Sequence, residues 1–470
     1  MSDPTWISIL PPVLAIVLAI ATRQVYLSLA AGIWMGWTIL SDWNPIAGVG
    51  AAIDGTVRVL GQPGNTMVIL FTLVIGALIA TVEAAGGVRG FVRFVEEKEW
   101  VNSARRAQAL AWVVGLIIFI ESNITVLVAG SVARPLFDRF KSSREKLAYL
   151  IDSTSAPICI LIPLNAWGAY NLALLTELEV EAPLTVFLQS IPLNFYPIAA
   201  ILLAAATVIW GLDVGPMKRA EARTRAGEVL WPDSQPMMDE GILSPEPNER
   251  IPPRAFNMVI PIAVMVIMMP VSLWITGGGD LLAGSGSTSV LWAVLSGLAA
   301  AWLLLLAQRG STVDELTRTA LKGAGGLVPL ALILLLALSL GDVASRLGTG
   351  LYVAQVTAGL LPTFIFLPLI FLVSGMIAFS TGTSWGTFAI MLPIAVPAAA
   401  ALGLPVAPFL AAVLSGGIFG DHSSPISDTT IISSMAAATD HIDHVRTQLP
   451  YAMIAGTVAV VAFGIMGAVL

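Results

Sequence analysis

The sequence predicts an all-α polytopic membrane protein built as two inverted-topology repeats, each with a re-entrant hairpin and a broken helix. Three observations predict it. Residues 347–420 run without one charged side chain, and a stretch so long and so apolar belongs in lipid. Hydrophobic residues make up 57% of the chain and charged residues 11%, with a mean hydropathy of +0.86, against roughly 25% charged in soluble domains. Finally, small polar islands interrupt the apolar spans at corresponding places in the two halves. The single cysteine, Cys159, excludes an internal disulfide and any cysteine-rich metal site. A net charge of −7 argues against a nucleic-acid partner.

A bilayer crossing needs about 20 apolar residues. The apolar runs place spans at about 6–22, 25–40, 66–86, 147–175, 185–210, 255–276, 287–308, 325–345, 407–438 and 447–470. The first lacks a positive lead segment and reads as a span rather than a secretory leader. Two further stretches, about 107–137 and 356–403, are too long for one crossing and hold Gly, Ser, Thr and Asn near the middle. Each reads as a re-entrant hairpin or a pair of half-helices, whose backbone must be satisfied by protein or a wet cavity. On this map all but Arg58 and Arg346 of the 23 Lys and Arg fall on one side. The positive-inside rule then puts both termini outside and the connection 211–254 in the cytoplasm of a cell (inner or plasma) membrane protein. That connection, rich in Pro, Glu and Arg, reads as a partly disordered linker without a function of its own.

The linker separates a first repeat, 1–210, from a second, 255–470. Glu83-Ala-Ala-Gly-Gly-Val-Arg89-Gly-Phe closes a span in the first half, and Asp342-Val-Ala-Ser-Arg346-Leu-Gly-Thr-Gly closes one in the second. Phe119-Ile-Glu-Ser-Asn-Ile-Thr125 then answers to Phe379-Ser-Thr-Gly-Thr-Ser384, and Asp152-Ser-Thr-Ser-Ala-Pro157 to Asp421-His-Ser-Ser-Pro425. Span 66–86 runs inward and span 325–345 outward, so the repeats are inverted. Interrupted helices at matching places in inverted repeats point to a site at the membrane midplane.

Four islands supply the chemistry. Glu121, Ser122 and Asn123 stand at the tip of the first hairpin, where carbonyl, hydroxyl and amide oxygens suit a hard cation. In the second island, Pro157 frees the carbonyls around Asp152, Ser153 and Thr154 from helical bonding. Thr381, Thr383 and Ser384 form the tip of the second hairpin. In the fourth, Pro425 separates Asp421, His422 and Ser424 from Asp428 and Thr429, so that the two carboxylates flank a cavity from separate half-helices. An intramembrane carboxylate is costly and placed for a task; ionised it holds a cation, neutral it holds a proton. Asp421, Asp428, Asp152 and Asn123 are the foremost candidates for a sodium ion. His422 relays protons or orients Asp421. Glu83 and Asp342 read as structural partners of Arg89 and Arg346. Asp440-His-Ile-Asp443-His444 has the look of a metal cluster, but its place before Arg446 suits a solvated cytoplasmic loop.

Gly420-Asp-His-Ser-Ser-Pro-Ile-Ser-Asp-Thr-Thr-Ile431, then Asp440-His441 and Thr447-Gln-Leu-Pro-Tyr-Ala452, resemble the signature of the NhaC family of sodium/proton antiporters. Ser143-Arg-Glu-Lys-Leu-Ala-Tyr-Leu-Ile-Asp152-Ser-Thr-Ser-Ala-Pro157 also looks like that family, and the landmarks extend from about residue 60 to 455. The resemblance implies an ion-transporter fold with two hairpins, often dimeric and moving as an elevator. By motif it carries cation-site roles to Ser153, Thr154, Asp421, Ser424, Asp428 and Thr429. The first hairpin departs from the family, with Glu121-Ser122-Asn123 where an aspartate-rich tip is the pattern.

The expected function is therefore secondary active exchange of Na+ for H+ by alternating access, with no enzymatic step and no cofactor beyond the two coupling ions. The alternative is a sodium- or proton-coupled carrier of a small carboxylate or amino acid. A transport unit of about 66–175 and 325–438 would move against a scaffold of about 6–40, 185–210, 255–308 and 447–470, in a homodimer embedded in the lipid bilayer.

Overall fold

A computed structural model of the protein describes residues 5–22, 24–87, 89–91, 93, 101–117, 119, 122–163, 165–236, 251–281, 284–360 and 362–470. Regular structure among them is helical, apart from one isolated bridge between Pro236 and Asp440. The first half contains α1 (Leu10–Thr22), α2 (Val25–Leu40), α3 (Pro45–Leu60), α4 (Pro63–Ala84), α5 (Ala104–Ile117) and α6 (Ser122–Arg139). It continues through α7 (Arg144–Asp152), α8 (Ala156–Leu161), α9 (Ala166–Glu177), α10 (Pro183–Ser190) and α11 (Phe195–Trp210). After α12 (Pro216–Arg225), the second half comprises α13 (Phe256–Thr276), α14 (Gly286–Ala307), α15 (Val313–Gly326), α16 (Val328–Arg346) and α17 (Thr349–Leu360). It ends with α18 (Thr363–Thr381), α19 (Ser384–Ala401), α20 (Val406–Ser423), α21 (Asp428–Ala437) and α22 (His441–Val469).

Among the described residues seven helices, α4, α13, α14, α16, α18, α19 and α22, are each long and apolar enough to cross a membrane. Residues 183–193 and 195–210 form an eighth, bent by 44°. The chain is a multi-pass membrane protein. Its helix starts follow local chemistry. Asn44 caps α3 by accepting from the amides of Ile46 and Ala47, with Pro45 in the first turn. Thr312 and Glu315 close a capping box on α15.

Three expectations change in the structure. The second hairpin is a helix–turn–helix as expected, but its arms are whole helices of 19 and 18 residues, each able to span about 27 Å at 1.5 Å per residue. The first broken span is interrupted twice, between Asp152 and Ala156 and again between Leu161 and Ala166. One part of the described linker, around α12, is docked rather than loose. Arg223 makes a bidentate pair with Glu145 at 2.8 and 3.0 Å and lies over the ring of Trp231. Lys146 pairs with Asp213 at 2.8 Å. Glu221 accepts from the amide and hydroxyl of Ser143, both at 2.8 Å. The charged groups are buried except for half-buried Asp213, so their charges are compensated largely inside protein. Asp342 pairs with Arg346 at 2.9 Å as expected, whereas Glu83 forms no ion pair with Arg89 among the described residues.

Close backbone approach brings the hairpins to the helix breaks. Gly382, at φ +70°, turns the second hairpin, and a side chain there would strike the carbonyl of Ile426. A side chain at Gly115 of α5 would strike the Thr154 hydroxyl. Each hairpin therefore lies against the interruption of its own half.

Candidate functional site

The two interruptions meet in the interior. Residues 153–155 separate α7 from α8, and residues 424–427 separate α20 from α21. Ser153 Oγ and His422 Nε2 share a hydrogen bond of 3.2 Å across the meeting point, and Thr430 Oγ1 donates to Asp152 Oδ2 at 3.2 Å. Asp152, Asp421 and His422 are 0%, 1% and 1% exposed. A carboxylate so enclosed is tolerated only when charge or hydrogen bonds compensate it.

Asp421 is held by hydroxyls. Its Oδ2 accepts from Ser384 Oγ at 2.6 Å and Ser384 N at 3.2 Å, and its Oδ1 accepts from Ser427 Oγ at 2.5 Å. Asp152 Oδ2 also accepts from Gln448 Nε2 at 2.6 Å, while its buried Oδ1 has no hydrogen-bond partner among the described residues. Among the described residues neither carboxylate forms an ion pair with Lys or Arg. Asp428 opens α21, accepts from Thr429 N at 2.9 Å, and is exposed. It therefore stands across the break from Asp421, on a separate half-helix, as the sequence suggested.

The remaining candidates divide. Ser384, Asp421, Ser153, His422 and Asp152 are brought to one centre by the bonds above. Ser424 Oγ donates to the Phe379 carbonyl at 2.7 Å, tying the break to the hairpin tip. Thr429 shares a hydroxyl bond of 3.0 Å with Ser427. Thr154 and Thr381 bond back to their own helices, to Leu150 O and Ile377 O, which is packing behaviour for membrane hydroxyls. The Thr383 carbonyl accepts from Thr381 and Thr387. Ser122 is buried at the start of α6; Glu121 and the side chain of Asn123 lie outside the described residues. His422 does not orient Asp421, because its ring nitrogens are taken by Ser153 and by Tyr196 OH, the latter at 2.7 Å.

Sequence reasoning missed Tyr196, Ser427 and Gln448, and read His444 as part of a solvated loop. Gln448 Nε2 also donates to the His422 carbonyl at 2.6 Å, so one amide touches both broken helices. The string 440–444 is no solvated loop. Asp440 caps α22 by accepting from Ile442 N and Asp443 N, which draws the string into helix and buries His444. No group of His, Cys, Asp and Glu among the described residues is arranged to hold a metal ion.

Paired interruptions of apolar helices, meeting around buried carboxylates in a multi-pass bundle, define a secondary transporter. Residues 168–468 match the family model described as the Na+/H+ antiporter family. The chain is 35% identical over 493 residues to an uncharacterized protein of Haemophilus influenzae, covering 99% of this chain and 91% of that one. It is 29% identical over 226 residues to the arginine/ornithine antiporter ArcD of Halobacterium salinarum, 47% of this chain and 43% of ArcD. Among solved structures it is similar in fold to the YdaH transporter of Alcanivorax borkumensis, with a TM-score of 0.57 at 14% identity, covering 89% of this chain and 88% of that one. The chain belongs to the Na+/H+ antiporter family.

Proposed function

We propose that this protein exchanges Na+ for H+ across the cell membrane, with the acidic centre between the two breaks as the shared site. One observation carries the reading: Asp152 and Asp421 are enclosed, and hydroxyls and one side-chain amide surround them with no Lys or Arg ion pair among the described residues. A carboxylate there requires either a bound cation or a proton, and a site that accepts one at a time couples the two flows. Asp421, Asp152 and Asp428 would supply charge. Ser384, Ser427 and the carbonyls of Ser153, Thr154 and Ile426 would supply the neutral oxygens that replace a cation's water.

Inverted repeats are supported by reciprocal contacts. The carbonyls of Phe119 and Phe379, matched in sequence, each accept from their own half's interrupted span, from Asn165 at 3.0 Å and Ser424 at 2.7 Å. Helix α15 packs on α4, while α3 packs on α16. We assign alternating access to an elevator in a homodimer, with both termini outside and the linker cytoplasmic. Because Tyr196 and Gln448 hydrogen-bond the broken helices, we put α11 and α22 with the moving unit of this scheme, instead of the scaffold the sequence suggested.

A second reading, a coupled carrier of an amino acid or small carboxylate, is favoured by one feature. Beside Ser384, the Trp385 ring lies 4.6 Å from Trp167 and 4.9 Å from Tyr170, centroid to centroid. Aromatic faces next to a carboxylate suit an organic ammonium group. Proteoliposomes loaded with a pH-sensitive dye decide between them. Added Na+ should dissipate an imposed pH gradient; uptake of a labelled amino acid or carboxylate driven by a sodium gradient would overturn the sodium/proton reading.

A further inference from the structure

Ser434, on α21, faces two imidazoles. Its Oγ lies 3.0 Å from His441 Nδ1 and 2.8 Å from His444 Nδ1, and it also reaches the Thr430 carbonyl at 2.8 Å. The opposite nitrogen of each ring must carry hydrogen. His441 Nε2 lies 2.6 Å from the Pro425 carbonyl, which can only accept. His444 Nε2 lies 2.9 Å from Gln448 Oε1. That amide cannot be flipped, because its nitrogen lies 2.6 Å from both Asp152 Oδ2 and the His422 carbonyl.

With both rings neutral, each Nδ1 is therefore a bare acceptor. One hydroxyl hydrogen then serves three acceptors: two Nδ1 atoms and the Thr430 carbonyl. A buried acceptor left unmet is costly. One added proton on either Nδ1 makes that ring a donor to Ser434 Oγ and frees the hydroxyl hydrogen for the other ring.

We propose that His441, Ser434 and His444 hold one shared proton, at a protonation site separate from the Asp421–Asp428 centre. His441 is half-buried and His444 fully buried, so the pair joins a more open ring to an enclosed one. Transfer between them breaks the His441 Nδ1–H bond as Ser434 Oγ gains that hydrogen. It breaks the Ser434 O–H bond as His444 Nδ1 gains the other. The site also touches both ends of the machinery, through the Pro425 carbonyl in the break and through Gln448 on Asp152. The titratable and charged groups around it are Asp440, Asp443 and Arg446 on α22, Arg144 with Asp138 beside the Ala438 carbonyl, and Asp152 and His422 at the inner end. As a store for the exchanged proton the site rests on the exchange reading above; the shared proton itself is measurable without transport.

The chain has three histidines, so nitrogen-15 imidazole spectra of the full chain in lipid nanodiscs can be assigned with His422→Gln and His441→Gln. The expected result is uptake of one proton by the 441/444 pair within the pH range over which the folded chain can be titrated. Ser434→Ala should lower its midpoint by about one to two pH units, the equivalent of one charge-assisted hydrogen bond. Ser434→Thr, which keeps the hydroxyl, should retain it, and covers the case in which the alanine variant fails to fold. Two neutral rings across that range, or a Ser434→Ala titration that matches the parent's, would overturn the shared proton. If the spectra shift while the pH profile of transport in proteoliposomes stays put, the proton is not one the exchange uses.

Discussion

Gln448 Nε2 donates to Asp152 Oδ2 across 2.6 Å, so the last helix of the chain supplies the shortest bond to the carboxylate of the first broken helix. The same nitrogen holds the His422 carbonyl beside the second break. Gln448→Leu removes both bonds at similar volume. A hydrogen bond to a charged group contributes about 1.5–3 kcal/mol, so the half-saturating cation concentration should rise at least about tenfold. Cation titration of exchange in proteoliposomes measures it, and an unchanged value would detach Gln448 from the site.

Substituting the carboxylates of the second break tests the centre itself. Asp421→Asn and Asp428→Asn hardly change volume and leave the helix ends intact, so the bundle should assemble. Each removes a charge that a cation needs and a proton acceptor that exchange needs. Both variants should lose pH-dependent cation exchange while eluting as the parent does in size-exclusion chromatography. Parent-like transport by both would remove the acidic centre from the mechanism.

The breaks were legible because Pro157 and Pro425 follow polar islands inside apolar spans, and a proline frees the carbonyls before it. Asp421 and Ser384 were both singled out, since carboxylates and hydroxyl runs at membrane depth are conspicuous. Their contact was not legible, because it depends on which hairpin tip folds onto which break. Gln448 and Tyr196 escaped notice for a different reason. A single amide or phenol in an apolar helix costs little to place, so nothing in its spacing separates a ligand from packing. Nothing in the sequence pairs Glu145 with Arg223; only the docking of α12 onto α7 reveals the bond. His444 was misread because a short run dominated by Asp and His looks like loop until Asp440 is recognised as a helix cap.

The docked linker makes its own prediction. Arg223→Ala leaves Glu145 buried without its partner, and breaking a buried pair from one side costs about 3–5 kcal/mol. Thermal unfolding in detergent should show a clear drop in midpoint. Replacing both residues by methionine removes the stranded charge and should recover most of the loss. Exposed Lys218, on the same helix, should tolerate alanine within about 0.5 kcal/mol. Equal effects from Arg223→Ala and Lys218→Ala would show that the linker is a passive tether.

The proposed elevator can be tested where the start of α11 meets α20. Ser415 Oγ lies 3.4 Å from Asn194 Oδ1, close enough to join by cysteines after Cys159→Ser removes the native thiol. Two residues beyond Asn194, Tyr196 reaches His422, which stands two turns beyond Ser415. If α11 travels with the broken helices, an oxidised Asn194→Cys/Ser415→Cys protein should transport at a rate close to its reduced form. If α11 belongs to the scaffold, the crosslink would span the sliding boundary. Oxidation would then stop transport and reduction would restore it. That outcome would return 185–210 to the fixed body and require the Tyr196–His422 bond to break in every cycle.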